Sequence, residues 1–434
     1  MKRILAVLLI TGLVLLGNAP VHAQFLKKLF GKEDPKPKPR PRPKPQQQPG
    51  DKKVAAKDRK KTQPDEIIYP KSVKKNRYRI DVFAALYLDE FLKGTKPVSK
   101  DKVPEKAIPG MNFYEGIKMA TDSLDMAGYH MDVFVHDITN PKEAPEAMIA
   151  ARHLDSTDLI IGAVPAAQVA TLAQFAKKRT INFISTLSPS DANVKENPYL
   201  TLLQPTLQAH CDWIRNAVVK KWKGGPVTVY RRPSVNVDEL AYKTLVKDSL
   251  FRFTTVNATS LPQPNYLRAM FDSLETNVIL MPVVDVNYAA KLLTQLDSLC
   301  PRYNFEVYGM PSWKGMSALR KTNVYPNIGI SITAPFYFDA STASGQALAV
   351  EYKKAFGSRP GEMVYRGYET IFWYTYLLDK YGTVFNTKIA DNASANYTRF
   401  DIRPRFDKDF NLMYNENAHF YLFRYQDGSF TVEQ

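Results

Sequence analysis

Residues 158–191 read DLIIGAVPAAQVATLAQFAKKRTINFISTLSPSD, and their chemistry is that of ligand recognition. An apolar run ends at Gly162. Pro165 opens a segment with apolar residues at Val169, Leu172 and Phe175, and a second apolar run covers Ile181 to Ile184. Proline favours a first helical turn, and the cations Lys177, Lys178 and Arg179 favour a last one. This predicts strand, turn, helix, strand. Free N–H groups at a helix N-terminus after a strand attract an anionic or carbonyl oxygen. Ala166, Ala167 and Gln168 offer such N–H groups, and Ser188 and Ser190 add hydroxyls from the following loop. Catalytic patterns are missing from the sequence. It has no Gly-rich phosphate loop with lysine, no GxSxG elbow and no Cys/His pairing. The six histidines are scattered without metal-ligand spacing. The chain is therefore read as a non-enzyme with no cofactor and no metal.

The elements that would position these groups begin after residue 77. Residues 1–23 carry Lys2 and Arg3, an apolar stretch Ile4 to Leu16, and the small-x-small triplet Val21-His22-Ala23. This is the pattern of an export signal cleaved near Ala23, which predicts a periplasmic or secreted protein. Residues 24–77 hold 18 Lys and Arg against 6 acids, including the alternation DPKPKPRPRPKPQQQPG. Such a composition predicts a disordered, extended linker that could contact an anionic envelope surface. With two further positives in the leader, only +2 of the formal +16 remains for residues 78–434. The basic balance belongs to the linker, so the body is not read as a nucleic-acid binder.

The body alternates strand and helix patterns. IDVFAALYL (80–88) and MDVFVHDI (131–138) are predicted strands. Between them Phe113, Ile117, Ala120, Leu124 and Ala127 step by four and three, which places them on one helix face, with Asn112 as the expected cap. After Gly224-Gly225-Pro226 the series restarts with VTVYRR, FTTVNAT, NVILMPVV and FEVYGM. Two βαβ series of similar size predict α/β architecture with two doubly wound, Rossmann-like lobes joined by a hinge. NIGISITAPFYF (327–338) is expected as an extended connector. The expected lobes are 78–205 with 340–385, and 206–328 with 400–434. Crossings are expected near 204–208, 328–340 and 386–400. Cys211 and Cys300 both lie in apolar helical contexts and are expected as free thiols.

The ordered series NFYEGIKMATDSLDMAG, MDVFVHDITN, LIIGAVP, NFISTLSPSD, YLTLLQPTLQAH and YRGYETIFWYTYLLDKYG resembles the type 1 periplasmic solute-binding proteins of the leucine-binding kind. The resemblance covers nearly all of residues 78–434. It implies a small ligand clasped between two lobes, delivered to an inner-membrane permease or a sensor. In the family a serine hydroxyl after the third strand binds the ligand carboxylate. Here Ala166 or Ala167 takes that position. Ser188 and Ser190 keep the donors of the next loop. The family's acid for the ligand ammonium falls in YGMPSWKG, where Ser312 and Trp313 stand and no carboxylate does. Asp285 is a substitute from a neighbouring strand end, and Trp313 with Tyr87 could stack on an apolar ligand. The pocket for a free α-amino acid is thus incomplete. The resemblance leaves a second role open, an envelope interaction module with a degenerate pocket. One branch of this fold regulates peptidoglycan synthases.

Overall fold

The computed structural model describes residues 64 and 66–433, apart from 94–95, 98–102, 250 and 392–396. The expected leader and residues 24–63 of the linker lie outside the described residues.

The chain begins with β1 (Tyr78–Ala84), α1 (Leu88–Phe91) and a two-residue ladder of β2 (Leu92–Lys93) with β3 (Lys96–Pro97). It continues through α2 (Ile108–Met126), β4 (Met131–Asp137), α3 (Pro145–Ala150), β5 (Leu159–Ala163), α4 (Ala166–Arg179), β6 (Asn182–Ser185) and β7 (Leu200–Leu202). The second series is α5 (Leu207–Trp222), β8 (Val227–Arg231), α6 (Asn236–Leu245), β9 (Phe253–Asn257), α7 (Pro264–Met270), β10 (Thr276–Leu280), α8 (Val286–Asp297), β11 (Asn304–Tyr308) and β12 (Ile328–Ala334). The end comprises α9 (Ala343–Phe356), α10 (Glu362–Tyr381), β13 (Ile402–Phe406), β14 (Leu412–Asn417), β15 (Tyr421–Gln426) and β16 (Ser429–Val432).

Two seven-stranded, mostly parallel sheets result. The first has the order β13-β14-β7-β6-β5-β1-β4, the second β16-β15-β12-β11-β10-β8-β9. All five residues of β5 and all four of β6 are buried, as a sheet covered on both faces requires. In α2 the expected face is buried at Phe113, Ile117, Ala120 and Leu124. The helix starts at Ile108, earlier than an Asn112 cap would place it. Pro109 fits its first turn, and Gly110 lies against the Ala85 carbonyl.

Three expectations are corrected. Ile328–Ala334 is a strand of the second sheet, paired with β11 and β15, because its apolar run is buried on both faces. Residues 402–417 belong to the first lobe, since β14 pairs in parallel with β7 at Asn415↔Thr201. The third crossing therefore lies at 418–420, and the second at 335–342. Finally, residues 66–77 of the expected linker pack on the first lobe. Ser72 Oγ donates to the Tyr381 carbonyl at 2.7 Å and accepts from Val384 N–H at 3.0 Å. Lys75 pairs with Asp158 at 2.7 Å, and Tyr69 meets Tyr199 edge-on. These apolar and hydrogen-bonding residues find partners that a Pro/Lys composition alone does not reveal.

Candidate functional site

The crossings orient the lobes. The chain leaves the first lobe at the carboxyl end of β7 and the second at the carboxyl end of β12. It crosses a third time from the carboxyl end of β14 to β15, which runs antiparallel to β12. All three connections thus join carboxyl ends, so the carboxyl ends of both sheets face one gap. In each sheet the first strand of the lobe is flanked by the second on one side and the third on the other. These are the switch points where open α/β sheets bind ligands. They lie between β1 and β5 in one lobe and between β8 and β10 in the other.

At the first switch point, Ala166 and Ala167 are exposed in the first turn of α4, and Gln168 is half-buried. The helix has Pro165 at its N-cap, no side-chain cap and no acid in its first turn. Tyr87 follows β1 in a left-handed conformation, φ 55°, with Lys106 Nζ 4.5 Å from its ring centroid. On the next loop Ser188 is buried and Ser190 half-buried. Ser188 Oγ accepts from Ser190 N–H at 3.3 Å, and Ser190 Oγ accepts from Ala192 N–H at 3.0 Å. Both serines shape their own turn and keep a hydroxyl proton to donate.

At the second switch point, Asp285 is exposed and caps α8, accepting from Asn287 and Tyr288 N–H. Ser312 is half-buried and donates to the Val284 carbonyl at 2.8 Å. Trp313 is a correction. It is fully buried in the second lobe's core, stacks over Gly309, and donates Nε1–H to the Val283 carbonyl at 2.8 Å. Its indole offers no face for a ligand stack. Sequence reasoning missed Asp238. It is fully buried and accepts from Arg232 Nη1 and Val284 N–H, both at 2.9 Å, which ties the β8 and β10 loops together. Burial lifts its carboxyl above the ordinary range despite the arginine. The run RRPSVNVDE, an arginine just past a strand and an acid six residues on, was the available signal.

No protein-family model and no curated protein matches the sequence. Solved structures do. A substrate-binding protein of an ABC transporter from Desulfitobacterium hafniense, in complex with Leu, aligns at TM-score 0.52 and 14% identity, covering 82% of this chain and 99% of that one. A periplasmic ligand-binding protein of a branched-chain amino acid ABC transporter from Burkholderia xenovorans aligns at TM-score 0.54 and 13% identity, covering 82% and 94%. The chain has the type 1 periplasmic binding protein fold. Full-length LpoA from Haemophilus influenzae also aligns, at TM-score 0.51 and 14% identity, covering 83% of this chain and 60% of that one.

In this periplasmic binding protein fold the hinge is held by buried polar groups. Glu416 is 2% exposed; it accepts from Thr206 N–H at 2.7 Å and pairs with Arg405 at 3.0 Å. His210 Nδ1 lies 2.8 Å from Thr333 Oγ1, and burial pushes its pKa down to about 3. The first contact fastens the first crossing to the end of β14, just before the third crossing, and the second ties α5 to β12 within the second lobe. Cys211 and Cys300 are unpaired, and burial raises the Cys211 thiol to about 12. Among the described residues no helix is long and apolar enough to cross a membrane.

Proposed function

We propose that the protein is a solute-binding receptor that clasps a small ligand between its lobes and presents it to a transporter or sensor, without catalysis. The observation that carries this is the meeting of two switch points across one gap. One offers uncapped N–H groups at Ala166 to Gln168 beside Ser188 and Ser190. The other offers Asp285 and Ser312. Helix N-terminal N–H groups favour a negative oxygen, so the first lobe takes a carboxylate or carbonyl and the hinge closes the second over it. Free amino acids fit poorly, because the alanines supply no hydroxyl. One hydrogen bond to a charged group is worth about 1.5–3 kcal/mol, roughly a ten- to hundredfold loss of affinity. Mass spectrometry of molecules retained after gentle purification, followed by calorimetry, tests this. Binding of a retained solute, weakened by Ser188→Ala with Ser190→Ala, supports it; micromolar leucine or valine binding defeats the ligand assignment.

The second reading is an envelope interaction module with a degenerate cleft. It is favoured by the local use of both serines in their own turn and by the burial of Trp313.

A further inference from the structure

A cavity of about 960 Å³ lies at the far pole of the second lobe, away from the gap between the lobes. It is walled by the amino ends of β10, β11 and β12 and by the carboxyl end of the antiparallel β15. The strand registers put Thr276, Asn304, Glu306, Gly329, Arg424 and Gln426 on one face of four adjacent strands. Helix α5 covers the rest of that face, from Thr333, met by His210, to Tyr308, whose hydroxyl accepts from Trp222 Nε1–H at 3.2 Å. The helix ends at Trp222, so the sheet beyond it forms a bare shelf. Asn304 and Gln426 are exposed there, and Glu306, Gly329 and Arg424 are half-buried.

The chemistry of the shelf is uncharged and hydrogen-bonding. Arg424 is the one cation in its walls among the described residues, and it forks onto Glu306 at 2.9 and 2.7 Å. An anion therefore finds no spare cation, and Asp427 on the rim repels it. The side chains of Thr276, Asn304, Asn327 and Gln426 have no hydrogen-bond partner among the described residues. Amides and hydroxyls both donate and accept, as the hydroxyls of a sugar also do. Gly329 keeps the floor flat: a Cβ there would lie 2.5 Å from Arg424 Nη2 and from Glu306 Oε1. Val324 and Pro326 give the rim an apolar edge for the C–H face of a ring.

The wall carrying that edge is rigid. Asn323 and Tyr325 both hold left-handed backbone, φ 56° and 53°, which is uncommon for a tyrosine. Asn323 N–H is fixed on Asp427 at 2.6 Å, and the Tyr325 hydroxyl on the Ala290 carbonyl at 3.1 Å. The volume falls at the top of the usual range for small-molecule sites, about 300–1,000 Å³.

We propose that this polar shelf binds a short, uncharged oligosaccharide, its hydroxyls on Asn304, Gln426 and Asp427 and a ring edge against Val324 and Pro326. The site is separate from the switch-point cleft and does not depend on what that cleft holds.

Saturation-transfer NMR on the whole chain tests this with three neutral trisaccharides, cellotriose, maltotriose and chitotriose, and with trigalacturonate as the anionic counterpart. At least one neutral probe binds, and trigalacturonate binds less well. Asn304→Ala weakens the neutral probe about two- to tenfold, the effect of losing one neutral hydrogen bond. Gly329→Ala abolishes binding by pushing the Arg424–Glu306 fork into the shelf. The proposal is overturned if no neutral trisaccharide binds, if trigalacturonate binds equally well, or if Asn304→Ala combined with Gln426→Ala leaves affinity intact. Loss of saccharide binding on Ser188→Ala overturns it too, because the probe would then occupy the switch-point cleft.

Discussion

Lys314 Nζ lies 3.0 Å from Glu362 Oε2, joining the loop after β11 in one lobe to the first residue of α10 in the other. Burial raises the Glu362 carboxyl, but Arg366 and Lys314 outweigh it and hold the pKa below the ordinary value. The pair reaches solvent on both sides, so its contribution to stability is small, about 1 kcal/mol or less. Lys314→Ala is expected to leave urea-unfolding stability within that margin while the lobes open. Small-angle scattering should show a larger radius of gyration. A loss of several kcal/mol would mean the pair is structural.

Residues 66–77 behave as a strap under the first lobe. Ser72 both donates to Tyr381 and accepts from Val384. Removing residues 24–77 should therefore lower the melting temperature relative to removing 24–63. Ser72→Ala alone should cost about 1 kcal/mol, the net worth of a typical hydrogen bond. Identical melting of the two truncations would show that the strap adds nothing.

Glu369 is 1% exposed on α10, and burial raises its pKa from the ordinary 4.5 to about 7. Oε2 accepts from Thr398 N–H at 2.9 Å, while Oε1 is buried without a partner among the described residues. Between pH 4.5 and 7 the folded state holds this proton more tightly than the unfolded chain. Its stabilising effect is complete below the unfolded value and is lost as pH rises through about 7. The full span is roughly 3 kcal/mol at most, since a tenfold change in proton affinity corresponds to about 1.36 kcal/mol. Glu369→Gln keeps the acceptor for Thr398 and should flatten stability across this window, giving its largest relative gain near pH 8. An unchanged slope in the variant would sink the assignment.

Helices α2 and α10 cross at glycines. A methyl group at Gly116 would overlap the Val364 carbonyl oxygen, and one at Gly367 the Phe113 carbonyl oxygen. Backbone cannot swing aside as a side-chain tip can, so Gly116→Ala should cost about 1–3 kcal/mol or more. Gly315→Ala, which meets open space, is the control and should melt as the unmodified chain does. Equal melting of both variants would show that the helices can separate freely.

The alternation of period-2 and period-3.6 runs determined the two α/β lobes, because each element buries a stripe or face that its own residues spell out. The buried face of α2, the strand-turn-helix at Pro165 and the tight turn at Asp427-Gly428, both at positive φ, were equally local. Choices between equivalent partners were left to the tertiary structure. A strand such as Leu412–Asn417 reads the same on either sheet, and only its parallel pairing with β7 places it in the first lobe. Trp313 reads as a ligand platform or a core residue with equal ease. Its place in the core was decided by the Val283 carbonyl, which reaches its Nε1–H from the loop after a different strand. The strap and the Asp238 tie share that origin. Each joins residues far apart in the chain, and long-range contacts are selected by the packed whole, not by any local pattern.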